Sequence, residues 1–157
     1  MKIKIIAVGK VRAEYARIGC TDFVERARRY LAVEVVEVRD ARRTKRGDPA
    51  AYKADEAARL LDAIPRGATV VALDERGRQW SSRGFAGYVE TLRDRAVPCL
   101  ALIIGGPDGL DPAVRKRADR TWALGEMTMS HELARLVLAE QIYRAGTILA
   151  GLPYHRD

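Results

Sequence analysis

The chain has few of the residues that build disulfides, metal sites and nucleophilic triads. Its 157 residues include two cysteines and two histidines. Cys20 and Cys99 stand far apart and form no CxxC pair, which predicts reduced structural thiols. With only His131 and His155 available and no GxSxG motif, the sequence does not indicate a serine or cysteine hydrolase. The cysteines and histidines also lack the close spacing of zinc ligands, so we expect no metal.

Long hydrophobic runs are also absent. No apolar stretch approaches the roughly 20 residues that span a bilayer. Residues 1–4 carry positive charge, but the apolar run at 5–8 is too short for a signal peptide and is typical of a first strand. We therefore expect a cytosolic protein. A length of 157 residues suits one domain with one core, covering residues 1–157.

Positive charge is in excess and unevenly distributed. The chain has 28 Lys and Arg against 21 Asp and Glu, a net charge of +7. Such a balance favours a polyanionic partner such as RNA, although either basic cluster could simply be a solvated face. The two clusters are Arg39, Arg42, Arg43, Lys45 and Arg46, and Arg115, Lys116, Arg117 and Arg120.

Apolar strand patterns alternate with helical spacing along the whole chain. This alternation predicts an α/β fold, with a mostly parallel sheet that carries helices on both faces. A polar loop is predicted at 74–84. The predicted strands are 2–8, 33–38, 69–73, 99–104 and 121–124, and the predicted helices are 14–30, 50–64, 85–95, 112–118 and 131–150.

The segment ALIIGGPDGL, residues 101–110, joins a continuous apolar run to two glycines and a further glycine turn. Such a run is typical of a strand buried on both faces, and ligands of α/β proteins bind beyond the carboxyl ends of such strands. The segment lacks the lysine and hydroxyl of a phosphate loop and the spacing of a dinucleotide fingerprint. We expect a ligand pocket here, with a simple tight turn as the alternative.

The last predicted helix has apolar residues around most of its circumference. Ser130 is a suitable N-cap, and Glu132 complements the positive end of the helix. Burial on several sides suggests that one side packs on the sheet and another on a second subunit, as in an isologous dimer. The alternative is a helix buried within a single core.

Several motifs together resemble the RlmH family of SPOUT-class RNA methyltransferases. They are IKIIAVGK, LDERGRQWSSRGFA, IIGGPDGL, MTMSHELARLVLAEQIYRA and PYHRD, in the family's order and spacing. The resemblance implies a trefoil-knotted homodimer. It also implies S-adenosylmethionine as the methyl donor and N3 of a pseudouridine in 23S ribosomal RNA, within the assembled ribosome, as the target.

The resemblance also implies which residues surround the methyl donor. Glycines permit close backbone approach, and an apolar loop with free main-chain groups suits an adenine. For His131, helix capping is an equally good interpretation, and Ser130 stands where the family commonly has proline. The implied cofactor residues are Leu73, Asp74, Gly105, Gly106, Leu124, Glu126, Met127, Thr128, Met129, Ser130 and His131.

By the same resemblance, Arg135, Tyr154, His155 and Arg156 face the target base, with the last three contributed by the partner subunit. Methylation of N3 requires loss of its proton, and histidine titrates near neutral pH, so His155 is a candidate base. Alternatively, Tyr154 stacks on the base and Arg156 stabilises the imide anion or holds phosphate. Trp80 and Trp122 are interpreted as packing residues.

Two other functions stay open on the sequence alone. A non-enzymatic ribosome-binding or assembly factor could use the basic clusters on the same scaffold. A phosphate-binding hydrolase would respond to nucleoside triphosphate instead of S-adenosylmethionine.

Overall fold

The computed structural model describes residues 1–156 as a five-stranded parallel sheet between two layers of helices. The sheet order is β2-β1-β4-β3-β5, and every neighbouring pair is parallel. This confirms the predicted fold class. The strands are β1 Lys2–Val8, β2 Ala32–Val38, β3 Thr69–Gln79, β4 Cys99–Ile104 and β5 Arg120–Ala123, and the helices are α1 Glu14–Ala27, α2 Pro49–Asp62, α3 Ser82–Asp94, α4 Pro112–Arg117 and α5 His131–Leu149.

The core lies on both faces of the sheet because alternate strand residues point to opposite sides. Leu102 belongs to the cluster under α1, α3 and α5, whereas Ile103 belongs to the cluster under α2 and α4. All six residues of β4 are buried, as expected for a strand covered on both faces.

The predicted loop at 74–84 is partly wrong, because β3 continues as far as Gln79. The pairing of β3 with β5 shifts between Leu73 and Arg78, so the intervening residues bulge out of the sheet. A Cβ at Gly77 would lie 2.6 Å from the main chain of Thr121. A glycine is therefore needed where β3 resumes its pairing with β5. The polar composition of this extension concealed it from the sequence pattern.

Helix α5 lies over the sheet between α1 and α3, and this position accounts for most of its apolar circumference within one chain. Gly19 of α1 faces Leu136 of α5 so closely that a Cβ would lie 2.6 Å from Leu136 Cδ1. Apolar side chains nevertheless stay exposed on α1, with Tyr15 61% and Ile18 55% accessible. Within residues 1–156, no helix is both long and apolar enough to cross a membrane.

The ends of α1 show how closely it is tied to α5. Its N-cap, Ala13, has no capping side chain, so Glu132 of α5 accepts hydrogen bonds from the N–H groups of Arg12 (3.0 Å) and Ala13 (2.8 Å). The helix ends at Ala27, earlier than the predicted residue 30, and turns so that Tyr30 meets Gly146 of α5. These contacts hold both the start and the end of α5 against α1.

Candidate active site

A cleft opens at the carboxyl ends of β3, β4 and β5. Its walls are the first bulged residues after Leu73, the glycine corner 105–110, the loop 124–130 and the start of α5. Its volume of about 720 Å³ is in the range of small-molecule sites. The cleft therefore lies where the sequence predicts a ligand pocket.

The structure brings together all but one of the predicted cofactor residues. Glu126 is exposed and lies outside the cleft lining. The residues that line the cleft are Leu73, Asp74, Gly105, Gly106, Leu124, Met127, Thr128, Met129, Ser130 and His131.

The floor of the cleft requires glycine at two consecutive positions. A Cβ at Gly105 would lie 2.8 Å from the main chain of Gly109, and one at Gly106 would lie 2.6 Å from Oε2 of Glu56. A bridge joins Gly106 to Gly109, whose φ of +80° also favours glycine. The corner thus exposes main chain to a ligand because side chains cannot fit there.

Glu56 of α2 supports this floor from below, and the sequence reasoning missed it. Its side chain is 1% exposed, and its Oε1 accepts from the N–H of Ala41 (3.0 Å) and from Nη2 of Arg43 (3.1 Å). Arg43 also contacts Asp108 of the glycine corner at 2.7 Å. The sequence did contain a signal for this role. Glu56 lies four residues before Leu60, on the same buried face of α2, and a buried charge needs a partner.

The basic clusters therefore contribute to the cleft as well as to the surface. Nη1 of Arg115 donates to Oδ2 of Asp74 at 3.2 Å and to the carbonyl of Leu110 at 2.6 Å. Like Arg43, it fixes a wall of the cleft. All members of the first cluster are exposed; they are Arg39, Arg42, Arg43, Lys45 and Arg46.

Two side-chain hydrogen bonds hold the second half of the loop 124–130, which follows β5. The hydroxyl of Thr128 donates to Glu75 at 2.8 Å, and Ser130 caps α5 by accepting from the N–H of Leu133 at 3.3 Å. Immediately before Thr128, Met127 is 80% exposed at the rim of the cleft. Ser130 therefore performs the helix-starting role that its residue type predicts.

Trp122 anchors the base of the loop 124–130 from within the core. It is 2% exposed, and its ring stacks on Phe85 and Trp80 at centroid distances of 4.6 and 5.1 Å. The predicted packing role of Trp80 and Trp122 is confirmed. Lys53, another residue that the sequence reasoning missed, reaches the cleft from α2.

His131 lines the cleft at the first residue of α5. Burial lowers its pKa from the usual value of 6.5, and the positive charges of Arg135 and Arg43 act in the same direction. The carboxylate of Glu132 opposes them by favouring the imidazolium. The neutral ring is therefore the favoured form in the folded protein.

This lowered pKa predicts an acid-sensitive stability that glutamine at position 131 should remove. Well above pH 6.5 the ring is neutral in both the folded and unfolded states, so it makes no pH-dependent contribution. As the pH falls, the unfolded chain binds a proton that the folded chain resists, and stability falls until the folded ring is also protonated. Urea unfolding should therefore show a steeper loss for wild type than for His131→Gln. Parallel losses would contradict this account.

Arg135 does not line the cleft. A residue that faces the target base would have to reach it. Its side chain is 3% exposed. Nη1 contacts Glu37 at 2.7 Å, and Nη2 donates to the carbonyls of Val8 (3.1 Å) and Gly9 (2.8 Å). Periodicity could not reveal this, because the partners come from the end of β1 and from β2. The geometry gives Arg135 a structural part in tying α5 to the sheet.

The PYHR segment, residues 153–156, lies at the opposite end of α5 from the cleft. Gly151, with φ of +66°, reverses the chain in a Schellman motif, in which its N–H bonds to Ile148 and the N–H of Leu152 bonds to Thr147. Tyr154 then packs edge-on against Tyr143 at 4.6 Å. Asp157, which completes the PYHRD motif, lies outside the described residues.

The separation along α5 decides which residues one chain can bring together. Arg144, which contacts the PYHR segment, lies about 20 Å along the helix from His131 at 1.5 Å per residue. The donor cleft and the predicted base-facing residues therefore do not meet within one protomer. Glu140 and Arg144, which hold the PYHR segment, are further residues that the sequence reasoning missed.

Comparison with known proteins decides the family. The sequence profile of the family described as "Predicted SPOUT methyltransferase" matches residues 1–155. The chain belongs to the SPOUT methyltransferase family. Membership confirms the resemblance predicted from the motifs and places the chain among methyltransferases. The trefoil knot that the resemblance implies stays a prediction.

Individual relatives of this SPOUT methyltransferase match it along its whole length. A protein of Geobacter sulfurreducens named ribosomal RNA large subunit methyltransferase H is 44% identical over 155 residues, which is 99% of each chain. A protein of the same name from Hahella chejuensis is 40% identical over 157 residues, all of both chains. The crystal structure of a probable methyltransferase from Bordetella pertussis covers 92% of this chain and 95% of its own, with TM-score 0.53 and 17% identity, which supports the fold.

Proposed function

We propose that the protein transfers a methyl group from S-adenosylmethionine to N3 of a pseudouridine in the RNA of the large ribosomal subunit. The observation that carries this proposal is the cleft beyond β3, β4 and β5, whose glycine floor offers bare main chain. Relatives similar over their full length are named as methyltransferases of that RNA. An RNA substrate of this kind also favours a cytoplasmic location.

The cleft suits the proposed donor in shape and in charge. The main chain of 105–106 and of the loop 124–130 supplies hydrogen-bonding groups for an adenine. Lys53 offers a cation to the carboxylate of the donor's amino-acid part, and Asp74 and Asp108 offer anions to its ammonium. Among residues 1–156, no three His, Cys, Asp or Glu side chains are placed to hold a metal ion.

A second copy of the chain completes the site in this proposal. The cleft and the PYHR segment lie at opposite ends of α5, so an antiparallel pair brings the segment of one protomer to the cleft of the other. Tyr15 and Ile18 present exposed apolar surface on α1, and Leu133 is 37% exposed at the start of α5. Exposed apolar side chains of this kind favour association.

The residues of the PYHR segment then serve the target nucleotide. Tyr154 offers an aromatic ring for stacking, and the exposed Arg156 offers a guanidinium to a phosphate or to the imide anion. S-adenosylmethionine supplies an electrophilic methyl group, which the lone pair of N3 accepts once N3 has lost its proton. The exposed arginines and Lys45 of the first basic cluster extend the positive surface for RNA.

S-adenosylmethionine should stabilise the protein against thermal unfolding. A ligand at about a hundred times its dissociation constant adds roughly 2.7 kcal/mol to the free energy of unfolding. The melting temperature measured with S-adenosylmethionine should therefore rise, and ATP at the same concentration should have no effect. A rise with ATP alone would favour a phosphate-binding hydrolase and contradict the donor cleft.

The proposed reaction itself is tested on RNA. Mass mapping of large-subunit RNA from cells without this protein should show one pseudouridine that lacks a methyl group, and purified protein with the donor should restore it on ribosomes. An unchanged modification pattern would contradict the enzyme and favour a non-enzymatic ribosome-binding or assembly factor.

A further inference from the structure

A polar cluster at the far end of α5 surrounds the PYHR segment. Glu140 and Arg144 lie one helical turn apart on α5 and form an ion pair. The guanidinium of Arg144 also lies over the ring of Tyr154, 4.7 Å from its centroid. The hydroxyl of Tyr154 donates to Oε1 of Glu140 at 3.0 Å. The segment is therefore ordered by charged partners before any RNA is bound.

The contact that matters for chemistry joins Arg144 to His155. Nη1 of Arg144 lies 3.2 Å from Nδ1 of the imidazole. A guanidinium is protonated at any working pH and can only donate. Nδ1 of His155 must therefore accept, which requires its lone pair to be free of a proton. In the neutral ring the proton then resides on Nε2.

We propose that Arg144 holds His155 as the Nε2–H tautomer, so that His155 serves the target nucleotide as a hydrogen-bond donor and not as its base. The inference rests on the proposed function for the identity of the nucleotide. When N3 of the target loses its proton to water, the negative charge spreads onto the two flanking carbonyl oxygens. An N–H aimed at one of these oxygens stabilises that charge.

The orientation of Arg144 is itself fixed by a chain of hydrogen bonds from α3. Glu140 accepts from Nε of Arg144 at 3.0 Å, and its other oxygen accepts from Nε2 of Gln141 at 2.7 Å. The amide oxygen of Gln141 accepts from the hydroxyl of Ser82 at 2.8 Å. Ser82 belongs to the LDERGRQWSSRGFA motif and is the α3 residue from which this chain of hydrogen bonds starts. Glu140 and Arg144 are positioning residues for His155.

The tautomer can be read directly by nitrogen NMR of the full-length protein labelled with ¹⁵N-histidine. The His155 signals are those that disappear in His155→Gln. We expect the coupling pattern of a ring protonated at Nε2, and in Arg144→Gln we expect this pattern to give way to a mixture of tautomers. A ring protonated at Nδ1 in wild type would overturn the proposal. This measurement does not depend on methyl transfer, so the tautomer proposal can be wrong while the proposed function is right, and the reverse.

Substitutions of His155 distinguish a role as hydrogen-bond donor from a role as general base in the reaction. Glutamine places an N–H near the position of Nε2 but cannot accept a proton, so His155→Gln should keep the rate of methyl transfer within about tenfold of wild type. His155→Ala should lose about 10²-fold or more, the usual contribution of such a group. If His155→Gln is as slow as His155→Ala, the donor role is wrong.

The test of Glu140 and Arg144 must distinguish a positioning role from a general loss of stability. Glu140→Gln should lower kcat while the affinity for S-adenosylmethionine stays unchanged, because the cleft lies at the other end of the helix. Glu90→Gln and Arg93→Gln, which break an exposed ion pair on α3, are matched controls and should change neither value. Equal effects from Glu140→Gln and Glu90→Gln would contradict the positioning role.

Discussion

Replacing Gly106 with alanine should abolish the stabilisation of the protein by S-adenosylmethionine. The new Cβ would lie 2.6 Å from Oε2 of Glu56, a carboxylate that is 1% exposed and whose Oε1 is held by the N–H of Ala41 and by Arg43. Moving it would disturb Arg43 and, through it, Asp108 on the cleft wall. Overpacking of this kind costs about 1–3 kcal/mol of stability, and the deformed floor loses its contact with the donor. Thermal melting with and without the donor measures both effects.

Gly87→Ala is the matched control for this substitution. Gly87 lies in α3, where a Cβ would meet nothing within 4 Å. Alanine is favoured over glycine in a helix by about 0.5–1 kcal/mol, so this variant should be as stable as wild type or slightly more so. Its donor-induced shift should be intact. A full donor-induced shift in Gly106→Ala would show that the glycine corner is not the floor of the donor site.

Removing residues 153–157 should lower methyl transfer by about 10³-fold while donor binding stays intact. The shortened chain keeps Gly151 and Leu152, and so keeps the reversal that ends α5. It loses Tyr154, His155 and Arg156, whose stacking and donor groups the account places at the target base, and several such groups together are worth this much. Single-turnover transfer to ribosomes and the donor-induced melting shift measure the two properties.

The shortened chain also loses the contact of Tyr154 with Tyr143, worth about 1 kcal/mol, so its melting temperature must be measured first. Arg156→Ala in the full chain removes an exposed side chain without this cost and should still reduce transfer. Transfer by the shortened chain within tenfold of wild type would contradict a catalytic role for the segment.

The sequence was sufficient for the architecture and for most of the donor cleft. Apolar runs that alternate with helical spacing predicted every strand and helix, since a strand buried on both faces is continuously apolar and a helix packed on the sheet carries apolar residues at helical spacing. The glycine corner was recognisable because two consecutive glycines after a buried strand leave bare main chain at the sheet edge where ligands bind. The motif resemblance supplied the loop 124–130 and the PYHR segment, which periodicity alone would have left as irregular chain.

The residues that the sequence could not reveal act across long separations. Glu56 and Arg43 meet beneath Gly106, and Arg135 reaches the end of β1 from a helix more than a hundred residues later. No local pattern encodes such pairings. The same holds for the extension of β3, whose polar residues pair with β5 only because Gly77 lets the strand return to the sheet.

The central claim is that the cleft of one protomer works with the PYHR segment of another, and subunit complementation tests it most directly. Met129→Arg places a cation in the cleft but leaves the segment intact, whereas the shortened chain keeps only the cleft. Each should be inactive alone. Refolded together in equal amounts, they should regain about a quarter of wild-type activity, because half the dimers are mixed and each mixed dimer has one complete site. If the mixed sample forms dimers and stays inactive, the cleft and the segment act within a single chain, and the account is wrong.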